Sequence, residues 1–339
     1  MKNAKRNTFV VLLITIIILF FVLKDDYDNI VNNLILANKL YILIGIVLIF
    51  VYWLLRSLCL YVIVKEYNPN VKFKEMFHQT VITQFFNGIT PFSTGGQPMQ
   101  VYMLKKSGVR IASATNIIVQ DFIMYQLALI IIGIFALFIN WYYHLFTVSA
   151  VLKSLIIFGF IINILVGLGL IFISFSKKFN SFIGTLLIKF CLKLKLIKNK
   201  DSVIAKWEEK LSEFHTSARL FKKKKLLFFK CFLYYLLSLI IFYVIPFFVF
   251  LSFDSSLSIS IPEIITASAF VLIIGNFVPI PGGSGGIEYG FLKFFGVFVS
   301  NSILLSALIV WRFITYYLGI IVGGISLGFF RGDDKKACE

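Results

Sequence analysis

Residues 263–300 read EIITASAFVLIIGNFVPIPGGSGGIEYGFLKFFGVFVS. The run is apolar at both ends and broken in the middle by Pro279, Pro281 and the glycines Gly282, Gly283, Gly285 and Gly286. Its neighbours decide its course. Leu226–Phe253 before it and Ser302–Phe330 after it are each long enough to cross a bilayer, since a hydrocarbon core of about 30 Å takes roughly 20 residues of helix. The linker 254–262 has no Lys or Arg and so belongs outside. The last block returns inward, so 263–300 must enter the membrane and come back. Unwound backbone at membrane depth must be shielded by protein or line a wet cavity, and a glycine- and proline-tipped re-entrant hairpin meets that condition.

The whole composition agrees. The 339 residues are 59% hydrophobic and 14% charged, with 39 Phe, and the mean hydropathy is +0.91. A globular domain carries about 25% charged residues. The expected fold is an all-α polytopic membrane protein. Six apolar blocks mark full spans: Thr8–Leu23, Leu40–Val64, Ile117–Ile139, Ser154–Phe175, Leu226–Phe253 and Ser302–Phe330. Lys2, Lys5 and Arg6 precede the first block in the manner of a signal peptide, but no small-residue cleavage site follows, so it reads as an uncleaved span.

The net charge of +17 is placed between the apolar blocks, which points to orientation and anionic lipid rather than nucleic acid. Segment 176–225 holds fourteen Lys/Arg against four Asp/Glu and ends in Lys222-Lys223-Lys224-Lys225. It belongs on the cytoplasmic side, with Lys65, Lys72, Lys74, Lys105, Lys106 and Arg110. Its spacing of Phe182, Leu186, Phe190, Leu194 and Ile197 suits an amphipathic helix on the inner leaflet, against a plain solvated loop. Loop 24–38 (Lys24 against Asp25, Asp26 and Asp28) and linker 140–150 fall outside. Both termini are then cytoplasmic, and the cytoplasmic membrane of a bacterium is the expected location.

Residues 76–104 are also broken, at Pro91, Gly95, Gly96 and Pro98, and they begin and end inside. They form a second hairpin, entering from the opposite face. A span, a hairpin and a span over about 40–139 thus recur, turned over, across about 226–330. The chain is expected to be one integral domain built as an inverted repeat, the design of alternating-access transporters.

Charge inside a span is costly and marks candidate sites. Arg312 lies mid-span and Arg56 well inside the second span, and both are candidates to face one cavity, against structural pairing within the bundle. Glu288, just after the glycine run, either caps a helix or meets a cationic group. Asp121, beside Gln120, either serves the site or reaches headgroup water, and Lys293 is expected to snorkel outward. Ser93, Thr94, Gln97 and Ser284 are candidate headgroup donors, with Pro91, Gly95, Gly96, Pro279, Pro281, Gly282, Gly283, Gly285 and Gly286 forming the tips. The glycine tips either expose N–H groups to an anion or merely allow tight turns. The cysteines Cys59, Cys191, Cys231 and Cys338 form no C-x-x-C pair, and the three His are scattered, so no metal, disulfide framework or cofactor is indicated. No G-x-x-x-x-G-K-[ST] occurs, so ATP hydrolysis has no support.

Pro279-Ile280-Pro281-Gly282-Gly283-Ser284-Gly285-Gly286-Ile287-Glu288, followed by Trp311-Arg312, resembles the signature of the lysylphosphatidylglycerol synthase transmembrane, flippase-like family. The family includes the membrane domain of the multiple peptide resistance factor. Pro91–Pro98 and Arg56 fit as well, and the likeness covers about residues 8–330. Gln120-Asp121 departs from a Glu-Arg pair common in the family. The resemblance implies a lipid flippase that moves an aminoacylated phosphatidylglycerol made by a soluble synthase domain. The sequence stops at Glu339, so that domain and its lysyltransferase chemistry are expected to be absent.

The leading expectation is therefore a lipid translocase for a phospholipid, with Arg56 and Arg312 on the phosphate and Glu288 or Asp121 on any cationic part. The rivals are a lipid-modifying enzyme such as a phosphatidylglycerol lysyltransferase, a glycolipid or polyprenyl-lipid transporter, and a scaffold for a separate lipid synthase. A homo-oligomer is also open.

Overall fold

The computed structural model describes residues 27–146, 150–176, 214, 224–276 and 278–330. Among them the chain is helical and contains no β-strand. Its α-helices are α1 (Tyr27–Leu36), α2 (Lys39–Val64), α3 (Phe73–Gly88), α4 (Gly96–Lys106), α5 (Ile111–Tyr143), α6 (Ala150–Phe175), α7 (Lys225–Phe253), α8 (Ile261–Gly275), α9 (Gly286–Phe295), α10 (Asn301–Arg312) and α11 (Leu318–Gly328). A π-turn over Phe313–Tyr317 joins α10 to α11, so the last span continues through it. Such an insertion re-aims the side chains on either side of it, and here it begins directly after Arg312.

Among the described residues, five stretches are long and apolar enough to cross a membrane: α2, α5, Leu152–Ser174 within α6, α7, and α10 through α11. The protein is thus an all-α polytopic membrane protein, as its sequence led one to expect. The first apolar block, the C-terminus and all of 176–225 except Ser176, Phe214, Lys224 and Lys225 lie outside the described residues. Two departures are visible. Residues 24–38 are not simply a loop, because Tyr27–Leu36 is helical. Asn33 donates to the Ser302 carbonyl and to Ser306 Oγ, at 3.2 Å each, and so fixes α1 against α10. The third span also begins earlier than Ile117, at Ile111.

Local chemistry sets several boundaries. The Asn38 side chain accepts from the Leu40 N–H at 3.0 Å and starts α2. Ser260 and Glu263 form a capping box at the start of α8, with Pro262 in its first turn. The faces turned outward are apolar, as along Leu43, Val47, Phe50 and Leu54 of α2 and Ile131, Ile134, Phe135 and Phe138 of α5. Lipid accepts such stripes, whereas water leaves them as association surfaces.

α3, α4, α8 and α9 are too short to span. At 1.5 Å per residue the 15 residues of α8 reach about 22 Å and the 10 of α9 about 15 Å. They pair as two helical hairpins, α3 with α4 and α8 with α9. The long helices exchange partners around them. α11 packs along α3 and α5 along α8, so each hairpin is covered by a long span distant from it in sequence. α2 and α7 form the most extensive helix pair, burying Trp53 and Tyr235. Close approach of α11 to α3 depends on glycine. A Cβ at Gly323 would sit 2.6 Å from the Val81 carbonyl, and one at Gly88 would sit 2.5 Å from Ile320 Cγ1.

Candidate functional site

The turn Pro91–Ser93 rests against the turn Pro281–Gly283, so the two hairpin tips meet. Their backbones follow one path. Thr90 (φ −119°, ψ 143°) and Ile280 (φ −111°, ψ 141°) enter extended, and a proline comes next in each. The following two positions are left-handed: Phe92 and Ser93 at φ 53° each, Gly282 at 68° and Gly283 at 61°. The sequence echo between the tips is weak because the second hairpin uses glycine where the first uses Phe and Ser. In the first tip the Gly96 N–H donates to Asn87 Oδ1 at 3.0 Å, and the Gly95 N–H to Thr90 Oγ1 at 2.8 Å. Gly283 is tight as well as left-handed, since a Cβ there would lie 2.8 Å from the Gly275 carbonyl.

Arg312 is 2% exposed and Glu288 3% exposed. Arg312 Nε donates to Glu288 Oε1 at 2.7 Å, and Nη2 reaches the same oxygen at 2.6 Å. Nη2 also donates to the Gly282 carbonyl at 3.1 Å. The other carboxylate oxygen, Oε2, accepts from the Gly285 N–H at 2.6 Å and caps α9. The guanidinium lies over the Tyr316 ring, 4.8 Å from its centroid. Tyr316 Oη donates to the Gly88 carbonyl of the other hairpin at 2.9 Å. One side-chain chain thus ties the second tip to the last span and both to the first tip. The expected division, phosphate on Arg312 and a cation on Glu288, gives way to a pair in which each residue answers the other.

Arg56 is placed differently. Its Nη1 donates to Tyr52 Oη at 3.1 Å, and its guanidinium carbon lies 5.7, 5.8 and 5.5 Å from the ring centroids of Tyr52, Tyr125 and Tyr235. Its Nε is buried without a partner among the described residues. Tyr235 stands between Arg56 and Asp121, its Oη donating to Asp121 Oδ2 at 2.5 Å. Asp121 is 5% exposed, so it does not reach headgroup water. It is buried against Tyr235 of α7.

A cavity of about 440 Å³ lies among the tips, α2, α3, α5, α6, α8 and α11. That is within the range of about 300–1,000 Å³ usual for small-ligand sites. Arg56, Arg312, Ser93, Gln97, Gly282 and Gly283 line it, together with Tyr52, Tyr125 and Tyr316. Asp121, Glu288, Ser284 and Thr94 are not on its wall. Ser284 is buried and donates to the Pro281 carbonyl at 3.1 Å, while Thr94 donates to the Pro91 carbonyl at 3.0 Å. Both hydroxyls donate within their own turns. Pro91, Gly95, Gly96, Pro279, Pro281, Gly285 and Gly286 shape the tips from outside the cavity wall, and Lys293 is exposed.

A family profile described as the lysylphosphatidylglycerol synthase TM region matches residues 8–323. The chain belongs to this family. It is similar to a UPF0104 membrane protein of Archaeoglobus fulgidus, at 23% identity over 86% of this chain and 87% of that one. A UPF0104 membrane protein of Methanothermobacter thermautotrophicus is 23% identical over 87% of this chain and 86% of its own length. The MG306 homolog of Mycoplasma pneumoniae is 24% identical over 93% and 84%, respectively. The protein is therefore a multi-pass membrane protein of a lipid-related family.

For this member of the lysylphosphatidylglycerol synthase transmembrane family, sequence reasoning missed the tyrosines around Arg56 and the carboxamides Gln84, Gln126 and Asn163 on the wall. A signal was present. Tyr52 stands four residues before Arg56, and Tyr316 four residues after Arg312. That spacing puts each ring on its arginine's face of the helix.

Proposed function

We propose that the protein is a lipid translocase whose headgroup passes through the cavity between the two hairpin tips. The observation that carries this reading is the common wall: Arg56 and residues of both tips border one space of about 440 Å³ inside a bundle with an apolar exterior. A headgroup enters that space while its acyl chains stay in the bilayer. Units 40–139 and 226–330 act as inverted repeats in the cytoplasmic membrane, each supplying a span, a half-length hairpin and a span. Rocking one unit against the other opens the cavity to each leaflet in turn. The Lys/Arg distribution favours cytoplasmic termini.

Arg56 is the group that meets the lipid phosphate. Its planar fork stacks on tyrosines while keeping N–H groups for an oxyanion. Arg312 and Glu288 are positioning residues that hold the second tip in shape. Movement is downhill or ion-coupled.

The test is reconstitution in liposomes with a tail-labelled phosphatidylglycerol, reading loss of protection from an external quencher. The wild-type protein is expected to move the label. Arg56→Gln is expected to slow it at least tenfold while eluting as wild type on size exclusion. Undiminished movement by that variant overturns the role of Arg56, and no movement by the wild type overturns the translocase reading.

A further inference from the structure

Resting on that reading, we infer that the headgroup accepted is a phosphate carrying uncharged hydroxyls, such as a glycerol, inositol or sugar, and not a cationic aminoacyl group. Among the described residues, the carboxylates beside the cavity-lining arginines, Glu288 and Asp121, both hold partners away from the cavity. Glu288 is closed by Arg312 and the Gly285 N–H, and Asp121 lies behind Tyr235. Among the described residues no Asp or Glu lines the cavity, whereas two arginines do. A lysyl ammonium entering there meets like charge at Arg56 and no carboxylate of the wall to answer it, an unfavourable exchange for its hydration shell.

The rest of the wall suits hydroxyls. Gln84, Asn87, Gln97 and Asn276 come from the hairpin arms and Gln126 from α5. A carboxamide offers both donors and an acceptor, the two roles a hydroxyl also plays. Several have one end already fixed, which orients the other. Gln84 Nε2 donates to the Thr80 carbonyl at 3.2 Å, and Asn87 Oδ1 accepts from the Gly96 N–H. Gln126 Nε2 donates to Asn163 Oδ1 at 2.9 Å. These anchors leave the Gln84 and Gln126 oxygens and the Asn87 amino group for a ligand.

The experiment is native mass spectrometry of the full chain after exchange into mixed micelles holding equimolar phosphatidylglycerol, phosphatidylinositol, lysyl-phosphatidylglycerol and a neutral diglucosyl-diacylglycerol. Retention of the two polyol phosphates at least tenfold over the other two lipids supports the inference. Equal or stronger retention of the lysyl lipid, or no selectivity, overturns it. Gln97→Glu adds a carboxylate at the first turn of α4, where a helix tolerates one well. It is expected to raise lysyl-lipid retention at least fivefold, and an unchanged ratio counts against the assignment of this cavity. Soluble glycerol 3-phosphate as competitor separates sources: displacement at equal concentration overturns a lipid ligand in favour of the free phosphate. Selective retention combined with no movement in liposomes removes the translocase reading and leaves the headgroup assignment standing.

Discussion

Arg312 and Glu288 bind each other at 2.6 Å with each side chain only 3% exposed. Burying both charges costs several kcal/mol per ion, and the pair survives because Gly282 and Gly285 answer the remaining valences. Removing one partner strands the other. Arg312→Gln or Glu288→Gln is therefore expected to destabilise the fold by about 3–5 kcal/mol. Replacing both by leucine is expected to cost clearly less than the two single changes together. Thermal unfolding in detergent micelles checks this. Small, additive losses would show that the pair does not hold the tip.

Phe92 and Gly282 occupy one position in two copies of the same turn, yet only glycine takes φ near +60° without strain. A left-handed residue with a Cβ costs about 1–2 kcal/mol, and Phe92 is 56% exposed, so its ring recovers little by burial. Phe92→Gly is expected to be neutral or stabilising by up to about 1 kcal/mol, after the extra freedom of glycine in the unfolded chain is counted. Gly282→Ala is expected to go the other way by about 2 kcal/mol or more, since its Cβ would fall 2.4 Å from the Tyr316 ring. Because strained tips cluster at working sites, Phe92→Gly is also expected to slow headgroup movement. Paired melting and liposome measurements read both effects.

Much of this architecture is legible in the sequence because two constraints act locally. Bilayer thickness sets block length, and the placement of Lys and Arg sets direction, so α2, α7 and the last span fall within a few residues of the blocks read from the chain. The start of α5 is less legible. Asn116, Gln120 and Asp121 resemble the polar end of a span, but all three are buried, with Tyr235 of α7 packed on Asp121. The arginines stand out as charges inside apolar runs. Their partners do not, since only the folded hairpin brings Glu288 to Arg312, and only the α2–α7 contact brings Tyr235 to Arg56. Which arginine is committed and which is open is a property of tertiary packing.

The contact between α3 and α11 makes another claim. Backbone lies 2.6 Å from the site of a Cβ at Gly323, so Gly323→Ala must push the helices apart. The expected loss is about 1–3 kcal/mol. At Gly169 in α6, by contrast, an added Cβ would meet nothing within 4 Å. Gly169→Ala is expected to stabilise by up to about 1 kcal/mol through helix propensity alone. Comparable destabilisation at both positions, measured by thermal shift, would remove the special role of the Gly323 contact.

Tyr235 links the two halves of the Arg56 cluster. Its hydroxyl is the donor to Asp121 Oδ2, and Asp121 Oδ1 has no partner among the described residues. Tyr235→Phe keeps the ring beneath Arg56 and deletes only that donor. A hydrogen bond to a charged group contributes about 1.5–3 kcal/mol, and a loss of this size is expected. Asp121→Asn in the same chain is expected to restore part of it, because a neutral amide is easier to leave half-satisfied in a buried place. Arg56 still faces the cavity in both variants, so phosphatidylglycerol retention is expected to stay within about threefold of wild type. If retention instead falls as far as in Arg56→Gln, Asp121 works on the headgroup through Tyr235 and belongs to the binding site, not behind it.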